Sequence, residues 1–183
     1  IVGRDVDTYL FDHPEEVTPL TAFMSLLVGH VGAKVPSAVG LTFQRDTPSS
    51  AYQTLAALGQ IQALSYTPGL GKLRLPPDNS PAKDLDLMVE RASERPIVLT
   101  AVSYTSSMAL GSSPAQQGTL LGAFFTALLP RRAYFPFIQV QQLYDLSSVA
   151  CAAYAAEQQL QPDDPEIGYH CNTGMRGNDD MAK

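Results

Sequence analysis

A chain of 183 residues carrying a formal charge of −6 is long enough to bury a core of its own without metals or disulfides to staple it. Its 45% apolar content is ordinary, but its 16% charged content falls well below the roughly 25% of an average soluble domain. That balance argues against a generic nucleic-acid binder, since Arg131-Arg132 is the only adjacent basic pair, and against a membrane span, since the longest apolar stretch, Gly118 to Leu129, is shorter than the roughly 18 residues required.

The chain opens at Ile1 with neither an initiator Met nor a basic, apolar leader, which reads as a processed or excised piece, and no compartment is assigned. Val2 to Phe11 reads as a first strand. Thr18-Pro19 then marks a helix start: the hydroxyl serves as N-cap, and proline at N1 lacks the N–H that would be unpaired there. That helix runs from Leu20 to Ala33. Val35 to Phe43 is a second strand, interrupted by Pro36 and Gly40. The hydroxyl–proline pair recurs at Thr47-Pro48, Ser80-Pro81 and Ser113-Pro114, ahead of helices over Ser49 to Leu64, Ala82 to Glu94 and Ala115 to Leu129. The second of these three is amphipathic, with Leu85, Met88, Val89 and Ala92 at helical spacing, and is expected on the outside of the molecule.

Lys72 to Leu75 alternates as a half-exposed strand would. Ile97 to Tyr104 opens as a continuous β-branched and apolar run, the pattern of a strand covered on both faces. Tyr134 to Val140 contains Pro136, which removes a ladder donor and places that strand at an edge. A last helix, Leu146 to Leu160, can be capped by Asp145. Beyond Gln161 the sequence offers little to bury. Cys151 lies in an Ala-rich helical pattern and Cys171 in this polar stretch, a pair that defines neither a disulfide framework nor a zinc site; a Cys151–Cys171 bridge stays open on the even count alone.

Strand and helix therefore alternate five times, which favours right-handed crossovers and an α/β fold of three layers: a largely parallel central sheet of about five strands with helices on both faces. An α+β arrangement is the alternative. Residues 1–160 are read as one α/β domain and residues 161–183 as a polar C-terminal tail or arm.

In an open parallel sheet, ligands collect beyond the carboxyl ends of strands. Under an enzyme reading, Asp12, His13 and Ser106 would be catalytic, with Asp12 or His13 as acid/base. Arg45 would clamp an anion, and Ser103, Thr105 and Ser107 would orient substrate. Each has an ordinary alternative: His13 as a turn residue before Pro14, Arg45-Asp46 as a solvated pair, the Ser/Thr run as a connector. Ser80-Pro81-Ala82-Lys83 has S-x-x-K spacing without its companion motifs, and Gly69-Leu70-Gly71-Lys72 lacks the first glycine and the Ser/Thr of a phosphate loop. His30 is expected to be packed or capping. The paired aspartates, Asp179-Asp180 among them, lack the ligand count of a calcium loop, and neither metal nor cofactor is expected.

The oddest feature is the absence of charge between Pro96 and Pro130 and between Thr47 and Gly71, with only Lys34 between Val17 and Gln44. Interfaces of permanent assemblies are depleted in charge and anchored by aromatics and Arg. Phe124, Phe125, Arg131, Arg132, Tyr134, Phe135 and Phe137 form the expected interface. The reading that follows is a non-catalytic subunit or protein-interaction module, with a protein partner or a homo-oligomer, no nucleic acid and no membrane span. The small α/β enzyme is the alternative.

Overall fold

The computed structural model describes residues 1–3, 5–69, 80–161 and 163–177. Among them seven α-helices and four strands alternate in an α/β fold: α1 (Val6–Asp12), α2 (Val17–Gly32), β1 (Gly40–Thr42), α3 (Ser50–Ala56), β2 (Gln62–Tyr66), α4 (Pro81–Ala92), β3 (Ile97–Val102), α5 (Pro114–Leu128), β4 (Phe137–Val140), α6 (Ser148–Glu157) and α7 (Pro165–Cys171). The strands form one sheet in the order β1-β2-β3-β4, with Gly40, Leu41 and Thr42 paired in parallel to Ala63, Leu64 and Ser65. The sheet thus has four described strands rather than five. The expected strand Lys72 to Leu75 and the Gly69-to-Lys72 turn lie wholly or largely outside the described residues, as does Asp179-Asp180.

Residues 1–66, 83–101 and 130–139 form one compact unit. Its core is Leu41, Leu64, Leu85, Met88, Ile97 and Leu99, none more than 1% exposed. Burial of a side chain of this size stabilises by about 1.5–3 kcal/mol. Every residue of β2 is buried, and in β3 only Val98 is partly open, so both alternating sets of side chains are covered. β4 ends the strand order as an edge, with Phe137 and Gln139 exposed. Pro136 directly before it is consistent with that position.

Two elements differ from the sequence expectation. Val2 to Phe11 is not a strand: Val2 alone bridges Val39, and α1 follows, burying Val6 and Leu10 four residues apart on one helical face. The helix expected over Ser49 to Leu64 stops at Ala56, capped at its start by Ser49, whose Oγ accepts from Tyr52 N at 3.2 Å. Gly59 then takes φ +89°, with Ser37 O so close that a Cβ would sit 2.0 Å from it, and the chain leaves the turn as β2. α4 buries Leu85, Met88 and Ala92 while Lys83, Asp86 and Glu90 face water, but Val89 is only half-buried and Asp84, on the side expected to be polar, is buried. α2 starts at Val17 without a side-chain cap, so Thr18-Pro19 falls inside its first turn, where proline is still tolerated.

The described parts of residues 67–82, 102–129 and 140–183 form a second unit. α5 carries the expected cap, with Ser113 Oγ accepting from Gln116 N at 3.2 Å and Pro114 at N1. Its large apolar groups Leu120, Leu121, Phe124 and Leu128 are buried, leaving Gly122, Ala123 and Thr126 outward. α6 is capped by Ser147 rather than Asp145. The polar stretch after Gln161 holds α7, capped by Asp164, with Tyr169 buried to 1% exposure and Cys171 bonded to Cys151 across a Cα separation of 5.6 Å. That stretch therefore contributes to a core over residues 165–173, because one tyrosine and the bridged cysteine supply the apolar area that its composition otherwise lacks.

Candidate functional site

The carboxyl ends of β1 and β2 gather a polar cluster. Asp5 enters α1 with φ 50°, and its Oδ1 accepts from Ser65 Oγ and from Thr42 Oγ1. Asp7, in the first turn of the helix, receives Thr42 N at 2.7 Å on one oxygen and Gln44 Nε2 at 3.0 Å on the other. Burial pushes the Asp7 carboxyl above the usual carboxylate range, opposed by these hydrogen bonds and reinforced by the charge of Asp5. Burial also pushes the phenol of Tyr52 up.

Beside this cluster, Arg45 forks onto Asp84, with Nε to Oδ1 and Nη2 to Oδ2 both at 2.9 Å, and Tyr66 donates to Asp84 Oδ2 at 2.8 Å. The Asp84 side chain is 3% exposed and that of Arg45 33%. The carboxylate that Arg45 holds is thus one of its own chain. Arg91 reaches the same loop, donating to the carbonyls of Gln44, Arg45 and Asp46.

Asp12 and His13 end α1, not a strand, and both are exposed. His13 stacks on Tyr9 with ring centroids 4.4 Å apart and lies 3.6 Å from Glu15, while Tyr9 donates to Glu16 Oε2 at 2.8 Å. That bond and the neighbouring acids raise the Tyr9 phenol. His13, Glu15 and Glu16 bring three possible metal ligands within 4.8 Å of one another, all in open solvent, an arrangement common for hydrated side chains.

Ser103, Thr105, Ser106 and Ser107 follow β3 and are buried to 7% exposure or less. They clasp α7. Ser106 donates through N at 2.8 Å and Oγ at 3.1 Å to Asn172 O, Thr105 Oγ1 donates to Gly168 O at 3.3 Å, and Thr105 Oγ1 accepts from Ser107 N at 3.1 Å. Gln117, 1% exposed, adds a bond from its amide to Tyr104 O. The buried hydroxyls of Thr105 and Ser106 are therefore engaged by the backbone of α7 and its cap.

The expected interface residues part company. Phe124 and Phe135 are buried at 0% and 5% exposure. Phe125 is half-buried and meets Phe124 edge to face at 5.3 Å. Arg131 forks onto Asp86 at 2.7 and 2.8 Å, which lowers the Asp86 carboxyl. Arg132, Tyr134 and Phe137 are exposed.

A larger apolar face lies on α2, which no single residue in the sequence announces. The helix has sixteen residues and no Asp, Glu, Lys or Arg, yet only Met24 and Val28 are buried. Ala22, Phe23, Leu26, Gly29 and His30 are exposed at helical spacing, Phe23 by 52% and Leu26 by 74%. His30 is thus open to solvent rather than packed. A shallow groove of about 480 Å³ runs alongside, between Ser25, Gly29 and Gly32 of α2 and the turn from Ala57 to Gln60. Among the described residues no helix is long and apolar enough to cross a membrane. No family model matches the chain, and a search of curated proteins finds no match either.

Proposed function

We propose that this protein is a non-catalytic interaction module, a subunit whose α2 face is closed by another protein chain. The observation that carries the reading is the charge-free, largely exposed α2, where Phe23 and Leu26 stand in water beside a groove walled by small residues. A contiguous apolar face of this kind is the usual mark of a protein-binding surface. The polar groups at the strand ends favour the same reading. The carboxylates of Asp7 and Asp84 and the guanidinium of Arg45 are bonded within the chain, and His13 is a solvated turn residue.

Light scattering across a range of concentrations, on the wild type and on a Leu26→Glu variant, tests it. Expected is a wild type that self-associates, or aggregates when no partner is supplied, and a variant that is monodisperse with an unchanged melting temperature. A wild type that stays monomeric at all concentrations, and binds no more of an apolar dye than the variant does, would overturn the reading.

A further inference from the structure

Of the described α-helices, α6 alone has no buried residue. Cys151, Tyr154 and Ala155 are half-buried at i, i+3 and i+4 on one face, and the rest of the helix is exposed, Val149 by 78%. Its hydrogen bonds stay local: among the described residues none joins residues 148–157 to anything outside 147–160. The specific links across to α7 are one covalent bond, Cys151–Cys171, and one ring contact, Tyr154 against His170 at a centroid distance of 5.2 Å. A helix of ten residues is too short to hold its shape in water unaided, and so small a docked face stabilises it weakly.

α7 is fastened differently. Tyr169 is 1% exposed, and the carbonyls of Gly168 and Asn172 accept from Thr105 and Ser106, none of which passes through α6. The chain that enters α6 is pinned as well, with Leu146 N donating to Cys171 O at 3.1 Å and Gly174 N to the Asp145 carboxylate at 3.0 Å. The disulfide therefore ties a loosely held helix to a firmly held one.

We infer that Cys151–Cys171 is a redox latch: with the bond closed α6 lies docked on α7, and with it reduced α6 comes away while α7 stays in place. The reductant is a dithiol. One of its thiolates attacks the sulfur of Cys151, the more exposed of the two residues, forming a mixed disulfide and releasing Cys171 as a thiolate. The second thiol then closes the reductant's own disulfide and frees Cys151. Two electrons pass to the protein, and the two protons of the dithiol end on Cys151 and Cys171. Release uncovers Tyr154, His170 and Cys171, a surface that the closed form withholds. α6 and α7 belong to the second unit, so this assignment and the reading of the α2 face can fail separately.

Hydrogen exchange read by mass spectrometry tests the latch on the full chain in three states: oxidised, in excess dithiothreitol, and as Cys151→Ala. Expected is slow exchange over Ala152 to Glu157 in the oxidised protein and exchange more than about tenfold faster in the other two states, with Ile97 to Val102 of β3 and Tyr169 to Asn172 still protected. Cys151→Ala reports the open form even where dithiothreitol fails to reach the bond. Fast exchange of α6 in the oxidised protein, continued protection of α6 in Cys151→Ala, or loss of protection in β3 together with α6 would each overturn the assignment.

Discussion

Asp84 illustrates how a charge becomes tolerable inside this protein. At 3% side-chain exposure it is sustained by the fork of Arg45 and by the Tyr66 hydroxyl, so exchanging one carboxylate oxygen for an amide nitrogen removes the charge and one of the two acceptor atoms they share. Asp84→Asn is expected to cost about 3 kcal/mol, toward the low end for breaking a buried pair because Arg45 is one-third exposed, and the urea midpoint would report it. His170 makes a different case. Burial lowers its pKa below the ordinary value, against the pull of Glu166 3.7 Å away, so the folded state prefers the neutral ring. The unfolded chain then binds the extra proton first as pH falls, and stability decreases from pH about 6.5 downward until the folded-state pKa is passed. In His170→Gln that decline is expected to disappear from melting temperatures measured between pH 7 and pH 5. Neither residue declared this role in the sequence. Asp84 sits where an amphipathic helix ought to be polar, and only the fold places Tyr66 and Arg45 over it.

Helix starts were the most legible elements. Ser113-Pro114 caps α5 as its residue types require, and Ser80-Pro81 precedes α4, while at Thr18-Pro19 and Thr47-Pro48 the pair lies near the helix start but the cap falls elsewhere or is absent. The missed strand, β2, reads Gln-Ala-Leu-Ser-Tyr, with no β-branched residue and nothing against a helix; its extended form comes from being buried on both faces beside β1 and from the turn at Gly59. Gly59→Ala is expected to destabilise by more than about 2 kcal/mol, since the new methyl meets a backbone carbonyl that cannot move aside and the φ is one that L residues resist; chemical denaturation would show it. The Cys151–Cys171 bond was equally hidden, because its geometry depends on how α6 meets α7. Its loop closes about twenty residues, so reduction is expected to cost about 3 kcal/mol, read as a fall in the denaturation midpoint with dithiothreitol that is absent in Cys151→Ala.

At the scale of the molecule, the sequence conveyed the parallel α/β class and the scarcity of charge, but not where that scarcity would surface. Most of the large apolar residues of α5 turned inward; on α2 Met24 and Val28 did so, but Phe23 and Leu26 did not. Nothing in helical periodicity separates the two, since both are apolar around most of their circumference and only the neighbouring elements decide which face is left open. If α2 is the contact surface, its association has no charge pair to screen. A dissociation constant measured by sedimentation is then expected to hold steady or tighten between low salt and about 0.5 M, where an electrostatic contact would weaken.

The sheet's order carries a kinetic consequence. Because β1, β2, β3 and β4 lie side by side in the order in which they are synthesised, the sheet can grow outward one strand at a time, each arrival pairing with the strand before it and none having to pry apart two that have already joined. Until Phe137–Val140 is made, the growing edge is β3, the most apolar strand of the four and the one least suited to meeting water. The vulnerable moment in the life of this protein is therefore the interval of thirty-four residues, 103 to 136, that separates those two strands on the emerging chain.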